Sequence, residues 1–284
     1  MKRQFFATGL KKLAIVCCLA ATSLLTTGLT HANLLITPTR VVLADGDRSQ
    51  EVTLLNNSRE TKTYRIELEN KIQDETGQYI SISADAAYPG NSAMEYIRYS
   101  PRIVTIEPGK YQKIKLRVRL PSSLPNGEYR VHLAMRSIDS PGAGHNSDSD
   151  SGMQVKIVPK MSFSIPVILR HGDNNMQTNI SGVQLLPGLS ASDKPSLDVI
   201  LKRTGAASSY GTITAYMKTP NNSQVQQIGM LHNVAVYTER DSRHVKIPLW
   251  IDSIPQNAVV QVVYEGDEEY EGQNLGVAAF KYSN

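Results

Sequence analysis

Cysteine is nearly absent: the 284 residues contain two, Cys17 and Cys18, and none follows. Disulfide staples, thiolate metal sites and thiol nucleophiles are therefore excluded beyond residue 18, and stability there must come from buried area. Aromatics are also sparse, with one tryptophan and four phenylalanines, of which Phe5 and Phe6 belong to the N-terminal segment. After that segment no apolar run approaches the length needed to span a membrane, and no long stretch repeats with a helical period. Gly-x-Ser-x-Gly, His-Glu-x-x-His and the phosphate-binding loop are missing, which removes the local signatures of common hydrolases and nucleotide enzymes. His145, His171, His232 and His244 are scattered over loops and strand edges. His132 alternates with Val131 and Leu133 in an extended run and is read as facing solvent. The sequence calls for no catalytic residue, metal or cofactor. A secreted hydrolase on a β scaffold, its Ser, His and Asp gathered from distant positions, is the third of three readings.

The first 32 residues carry Lys2, Arg3, Lys11 and Lys12 ahead of an apolar stretch, and end in Thr30-His31-Ala32. That is the layout of a secretory signal peptide cleaved after Ala32. Thr22, Ser23, Thr26, Thr27 and Gly28 make the stretch short and polar for an uncleaved membrane anchor. Those four cations equal the whole formal net charge of +4. The remainder is neutral, which gives no support to nucleic-acid binding or to attachment at an anionic membrane.

Residues 33–284 suit two domains. Short alternating runs fill them, at residues 34–43, 51–56, 63–69, 113–120, 129–135 and 153–169 in the first part. Asp45-Gly46-Asp47, Asn56-Asn57-Ser58, Pro108-Gly109 and Pro125-Asn126-Gly127 separate them with turn chemistry. The strictest run puts Ile114, Leu116, Val118 and Leu120 on one face and Lys113, Lys115, Arg117 and Arg119 on the other, as a half-buried strand with a solvated cationic face requires. After residue 170, further runs at 197–201, 212–217, 234–237, 245–250, 259–264 and 276–280 define a second set. The expected fold is all-β, two immunoglobulin-like sandwiches in tandem over residues 33–170 and 171–284. The acidic cluster Glu265 to Glu271 is read as a charged hairpin between the last two strands, which discourages edge-to-edge aggregation. Residues 140–152, rich in Ser, Gly and Asp, are read as a solvated loop.

The run MQVKIVPKMSFSIPVIL, residues 153–169, holds an apolar residue or proline at every odd position. It is about three times the usual strand length of about five to six residues. Together with Ile36-Thr-Pro-Thr-Arg40-Val-Val-Leu, Thr53-Leu-Leu-Asn-Asn-Ser58, Pro101-Arg-Ile-Val-Thr-Ile-Glu107-Pro-Gly-Lys110 and Leu124-Pro-Asn-Gly-Glu-Tyr129, it resembles the periplasmic pilus-assembly chaperones. The resemblance covers the first domain; in the second it is architectural only. It implies a non-enzymatic periplasmic protein that caps pilin subunits by lending a strand, then passes them to an outer-membrane usher. On that implication Met153, Val155 and Ile157 fill the subunit's groove, while Met161, Phe163, Ile165 and Val167 belong to the chaperone's own core. A basic pair, Arg40 with Lys160 or, as the second choice, Lys156, holds the subunit's C-terminal carboxylate. The sequence departs from the commoner family pattern at Pro159 and at Ser162-Phe-Ser-Ile-Pro166, as a less typical branch would. The competing reading is a secreted adhesive or carbohydrate-binding protein of two sandwich domains, which requires aromatics exposed on loops.

Overall fold

The computed structural model describes residues 34–83, 86–121, 123–138, 161–188, 190 and 193–283, and every long element in it is a strand. In chain order the first eleven are β1 (Leu34–Thr37), β2 (Val41–Leu43), β3 (Ser49–Asn56), β4 (Lys62–Glu69), β5 (Lys71–Gln73), β6 (Tyr79–Ser81), β7 (Ile97–Ser100), β8 (Ile103–Ile106), β9 (Tyr111–Val118), β10 (Gly127–Ile138) and β11 (Ser162–His171). They form one sheet ordered β1-β3-β9-β7 and a facing sheet ordered β2-β11-β10-β4-β8. The second set is β12 (Met176–Leu186), β13 (Ser196–Gly205), β14 (Ser209–Thr219), β15 (Asn222–Val236), β16 (Ser242–Pro248), β17 (Val259–Gly266) and β18 (Asn274–Lys281). Its sheets run β12-β13-β16 and β15-β14-β17-β18. Both pairs have the immunoglobulin-like order, so the expected all-β tandem of sandwiches is borne out. No helix among the described residues is long and apolar enough to cross a membrane.

Alternation explains most of the packing. On β9, Ile114 and Leu116 are fully buried while Lys113, Lys115 and Arg117 are exposed. Leu43, Leu54, Ile66, Leu133 and Val167 join them in the first core, and Leu197, Ile213, Val236, Val260 and Tyr264 centre the second. Each such Leu, Ile or Val contributes about 1.5–3 kcal/mol of burial. Tyr129 at the entry to β10 donates from its hydroxyl to Pro125 O at 2.8 Å, the tyrosine corner of this fold.

Two differences from the sequence expectation bear on the site. The run 34–43 is not one strand: β1 pairs with β3 in one sheet and β2 pairs in parallel with β11 in the other. Pro38 lies at the crossover, where its ring removes an N–H that a continuing ladder would need. The second difference is β10, whose first nine residues are buried without alternation. One face is the first core; over the other lie the second sandwich and the hairpin β5–β6. His132 is therefore 0% exposed, correcting its reading as a solvent-facing residue.

The hairpin acts as a strap. Its turn is built by Asp74, whose Oδ1 accepts from Thr76 N, Thr76 Oγ1 and Gln78 N, and by Gly77 at φ +93°. It reaches the second sandwich through Tyr79 and Tyr237 hydroxyls 2.9 Å apart, Gln73 N donating to Glu239, and His244 N donating to Glu75 O.

Candidate functional site

The crossover between β1 and β2 delivers Arg40 to the junction of the two sandwiches. Its side chain is 2% exposed and its guanidinium meets a 3₁₀ turn, Glu268–Tyr270, that connects β17 to β18. Nη1 donates to Glu268 Oε2 and Glu269 Oε2, both at 2.8 Å, and Nη2 to Glu269 Oε1 at 2.7 Å. The pair with Glu269 is bidentate, the geometry for which a guanidinium fork is suited. The Tyr210 ring supports the guanidinium from one side, 4.3 Å from its centroid.

Arg170, near the end of β11, closes on the same carboxylate: Nη1 lies 2.9 Å from Glu269 Oε1. Its Nε donates to Glu128 Oε2 at 3.1 Å and its Nη2 to Ser208 O at 3.3 Å. Ser208 N and Oγ also donate to Glu128 Oε2, each at 2.9 Å, and the Tyr270 hydroxyl donates to Ser208 O at 2.7 Å. Burial pushes the Glu269 carboxyl upward, but the hydrogen bonds and charge of Arg40 and the charge of Arg170 outweigh it and hold the group below the usual carboxylate range. Burial also opposes the charge on Arg40, and Glu269 foremost overcomes it, so the guanidinium is held more firmly protonated than usual.

A second ion pair crosses the junction beside the strap. Arg130 Nη2 donates to Glu239 Oε1 at 2.5 Å, with the guanidinium stacked 3.6 Å over the Tyr237 ring. His132 follows two residues along, its ring meeting the edge of Tyr79 at 4.8 Å. Burial first, then the charges of Arg130 and Lys71, hold its imidazole well below the ordinary histidine value.

The other approach to this region is the outer edge of β11. β10 pairs with all of β11, whereas β2 covers only Val167, Ile168 and Leu169. Ser137 N donates to Met161 O in the register of the β10–β11 ladder. Odd residues of β11 thus exchange backbone bonds with β10, and even residues turn theirs to the opposite edge. Pro166 falls on an even position, so its missing N–H costs the ladder nothing. Ile165 and Val167 are buried in the first core with Phe163 packed against it, while Met161 is 45% exposed.

Of the residues singled out in the sequence, Arg40 is at this junction, while Met153, Val155, Lys156, Ile157 and Lys160 lie outside the described residues. Arg170, Glu128 and Tyr210 escaped the sequence reading. Glu268 and Glu269 were visible as an acidic cluster, but instead of standing as free surface charge on a hairpin, both engage Arg40. The one signal that could have found the pairing was Arg40 itself, a cation beside the apolar run Val41-Val42-Leu43 that needs a counter-charge.

No protein-family model and no curated protein matches the chain. Solved structures similar to it include the class 5 fimbriae chaperone CfaA, at 14% identity over 87% of this chain and 98% of that one with a TM-score of 0.44. The YadV chaperone is similar at 13% identity, 88% and 100% coverage and a TM-score of 0.43. The CsuC–CsuE chaperone–tip adhesion subunit complex of Acinetobacter baumannii is similar at 15% identity, 87% and 98% coverage and a TM-score of 0.42.

Proposed function

We propose that the protein is a non-enzymatic periplasmic chaperone that caps pilin subunits by lending them a strand, and that it delivers them to an outer-membrane usher. The observation that carries this reading is the edge of β11 at residues 162–166, which no strand among the described residues covers, directly after the alternating stretch 153–160. An unpaired edge presents backbone donors and acceptors in strand geometry, which another chain can take up as β-augmentation. A subunit that lacks its last strand supplies the complementary need: an apolar groove and an unpaired edge of its own.

In this mechanism Met153, Val155 and Ile157, two residues apart, enter the groove from one face. Arg40 holds the subunit's terminal carboxylate and so fixes the register, because a one-residue slip would turn every groove residue to the wrong face. No nucleotide is needed: exchange of the lent strand for the next subunit's own strand supplies the free energy for release. The segment 1–32 is the export signal on this reading.

The test is a pull-down of the tagged protein from periplasm co-expressing small secreted β-sandwich subunits, beside its Arg40→Ala and Val155→Asp variants. Equal-stoichiometry co-purification that both substitutions abolish, with the chaperone still folded, is the expected result. Empty capture, or capture unaffected by either substitution, overturns the reading. It would favour the adhesive alternative, for which Trp250, 52% exposed after β16, is the supporting observation.

A further inference from the structure

We propose that the strap β5–β6 is an acid-released latch between the two sandwiches, with His132 as its proton sensor: uptake of a proton by the buried ring lifts the strap from the second sandwich. The imidazole is 0% exposed, and neither ring nitrogen has a hydrogen-bond partner among the described residues. Buried polar groups are nearly always bonded, so two orphan nitrogens on one ring mark an exception. A neutral ring loses only its bonds to water there. A protonated one would be a buried cation whose two N–H donors have nothing to accept them.

The surroundings of the ring are predominantly positive. Arg130 stands two residues along β10, and Lys71 enters from the strap. The Tyr79 ring covers the imidazole edge-on at 4.8 Å, and the Tyr79 hydroxyl is turned to that of Tyr237, 2.9 Å away. Across the ladders His132 faces Pro166 on β11, which has no charge, and Glu69 on β4. Glu69 is engaged by Lys71 and Arg136, and Glu239 of the second sandwich by Arg130 and Gln73 N. Under the turn of the strap, against Gly77, lies the Arg243 guanidinium, whose Nε has no partner among the described residues. A charged His132 would thus add a further cation where the nearby carboxylates are already taken.

The strap is the element that can yield. It has two strands of three residues each, and a hairpin of that size is marginal on its own. None of its side chains belongs to either apolar core, and Tyr79 and Ile80 are 44% and 47% exposed. Polar bonds hold it to the second sandwich: Tyr79 to Tyr237, Gln73 N to Glu239, His244 N to Glu75 O and Arg240 Nε to Gln73 O. All of these groups turn to water when the strap lifts, so the opening is small beside the unfolding of a core. Lys71 also leaves Ser164 on β11, to which it donates at 2.8 Å. Lifting hydrates His132, which then binds a proton with the ordinary histidine affinity near 6.5. The ratio of lifted to closed strap accordingly rises by up to about 25-fold from pH 7 to pH 5.

Amide hydrogen exchange on the chain from residue 33, corrected for the intrinsic rate at each pH, reads the opening at Gln73 and His244, whose N–H groups bond across the junction. Their exchange is expected to accelerate by up to about 25-fold from pH 7 to pH 5 and to stay flat in His132→Phe. Below the unfolding transition it should depend little on urea, as a local opening requires, while the β9 ladder exchanges through a steeply urea-dependent one. A change of less than about twofold with pH, an equal acceleration in His132→Phe, or strap amides that share the urea dependence of β9 overturns the proposal. The His132 Cε1–H resonance gives a second reading. In Gly77→Ala, whose turn cannot close over Arg243, it should titrate near 6.5, and in the natural sequence well below that value. A ring that titrates alike in both is not shielded by the strap, and the latch fails.

Discussion

His132 should make the fold acid-sensitive above the range where carboxylates titrate. The ring is fully buried between the two sandwiches, against the edge of Tyr79, with Arg130 on its own strand and Lys71 on the strap. Glu69 lies opposite on β4, but its carboxylate is engaged by Lys71 and Arg136 at 2.9 and 2.6 Å. Burial, with the two cations, holds the folded-state pKa well below 6.5. A base whose folded pKa is depressed contributes stability that is complete above its unfolded value and is lost as pH falls, because the unfolded chain takes up a proton that the folded one refuses. With an unfolded value near 6.5, the loss is at most about 1.4 kcal/mol per pH unit, which sets a ceiling of about 2 kcal/mol between pH 7 and pH 5. Urea unfolding at both pH values would measure it, beside His132→Phe, which keeps a ring against Tyr79 and cannot titrate. If the variant loses as much stability from pH 7 to pH 5 as the natural sequence, His132 is not shielded from protons and the reasoning fails.

Gly77→Ala should release the strap, since its φ of +93° excludes a side chain and an added Cβ would fall within 2.3 Å of the Arg243 guanidinium. Hydrogen exchange at Gln73 and His244, whose N–H groups bond across the junction, should accelerate while the β9 ladder stays protected; unchanged exchange would show the strap is held elsewhere. In the first core, Leu116→Ala should cost about 2–5 kcal/mol, whereas Lys115→Ala on the adjacent exposed position should stay within about 0.5 kcal/mol. Equal losses in denaturant unfolding would mean that the alternation on β9 does not set its packing.

The sequence was most informative where a strand has one wet face. Ile114 and Leu116 could be assigned inward and Lys113, Lys115 and Arg117 outward from periodicity alone, because water on one side and a core on the other impose a period of two. β10 defeats that logic: Glu128, Arg130 and His132 sit at the positions that alternation gives to solvent, yet all three are buried under the second sandwich and the strap. Only a contact between domains makes them interior: Glu128 accepts from Ser208 and Arg130 donates to Glu239, partners 80 and 109 positions away in sequence. Local pattern carries no trace of such a pair. The run 34–43 was misread as one strand for a related reason: its alternation continues past Pro38 while the chain changes sheets.

The junction also differs in kind from the two cores. Arg40, Arg130 and Arg170 are buried there, each on or near a tyrosine ring and each paired with a glutamate. Removing such groups from water costs several kcal/mol per ion, and their attraction returns roughly as much, so the arrangement adds little net stability. What it adds is direction, since a guanidinium fork accepts a carboxylate in few orientations. An apolar junction of the same area would hold the domains together and give a visiting anion nothing to compete for. A junction made of ion pairs also fixes how the sandwiches meet, because Glu269 must reach Arg40 and Arg170 at once.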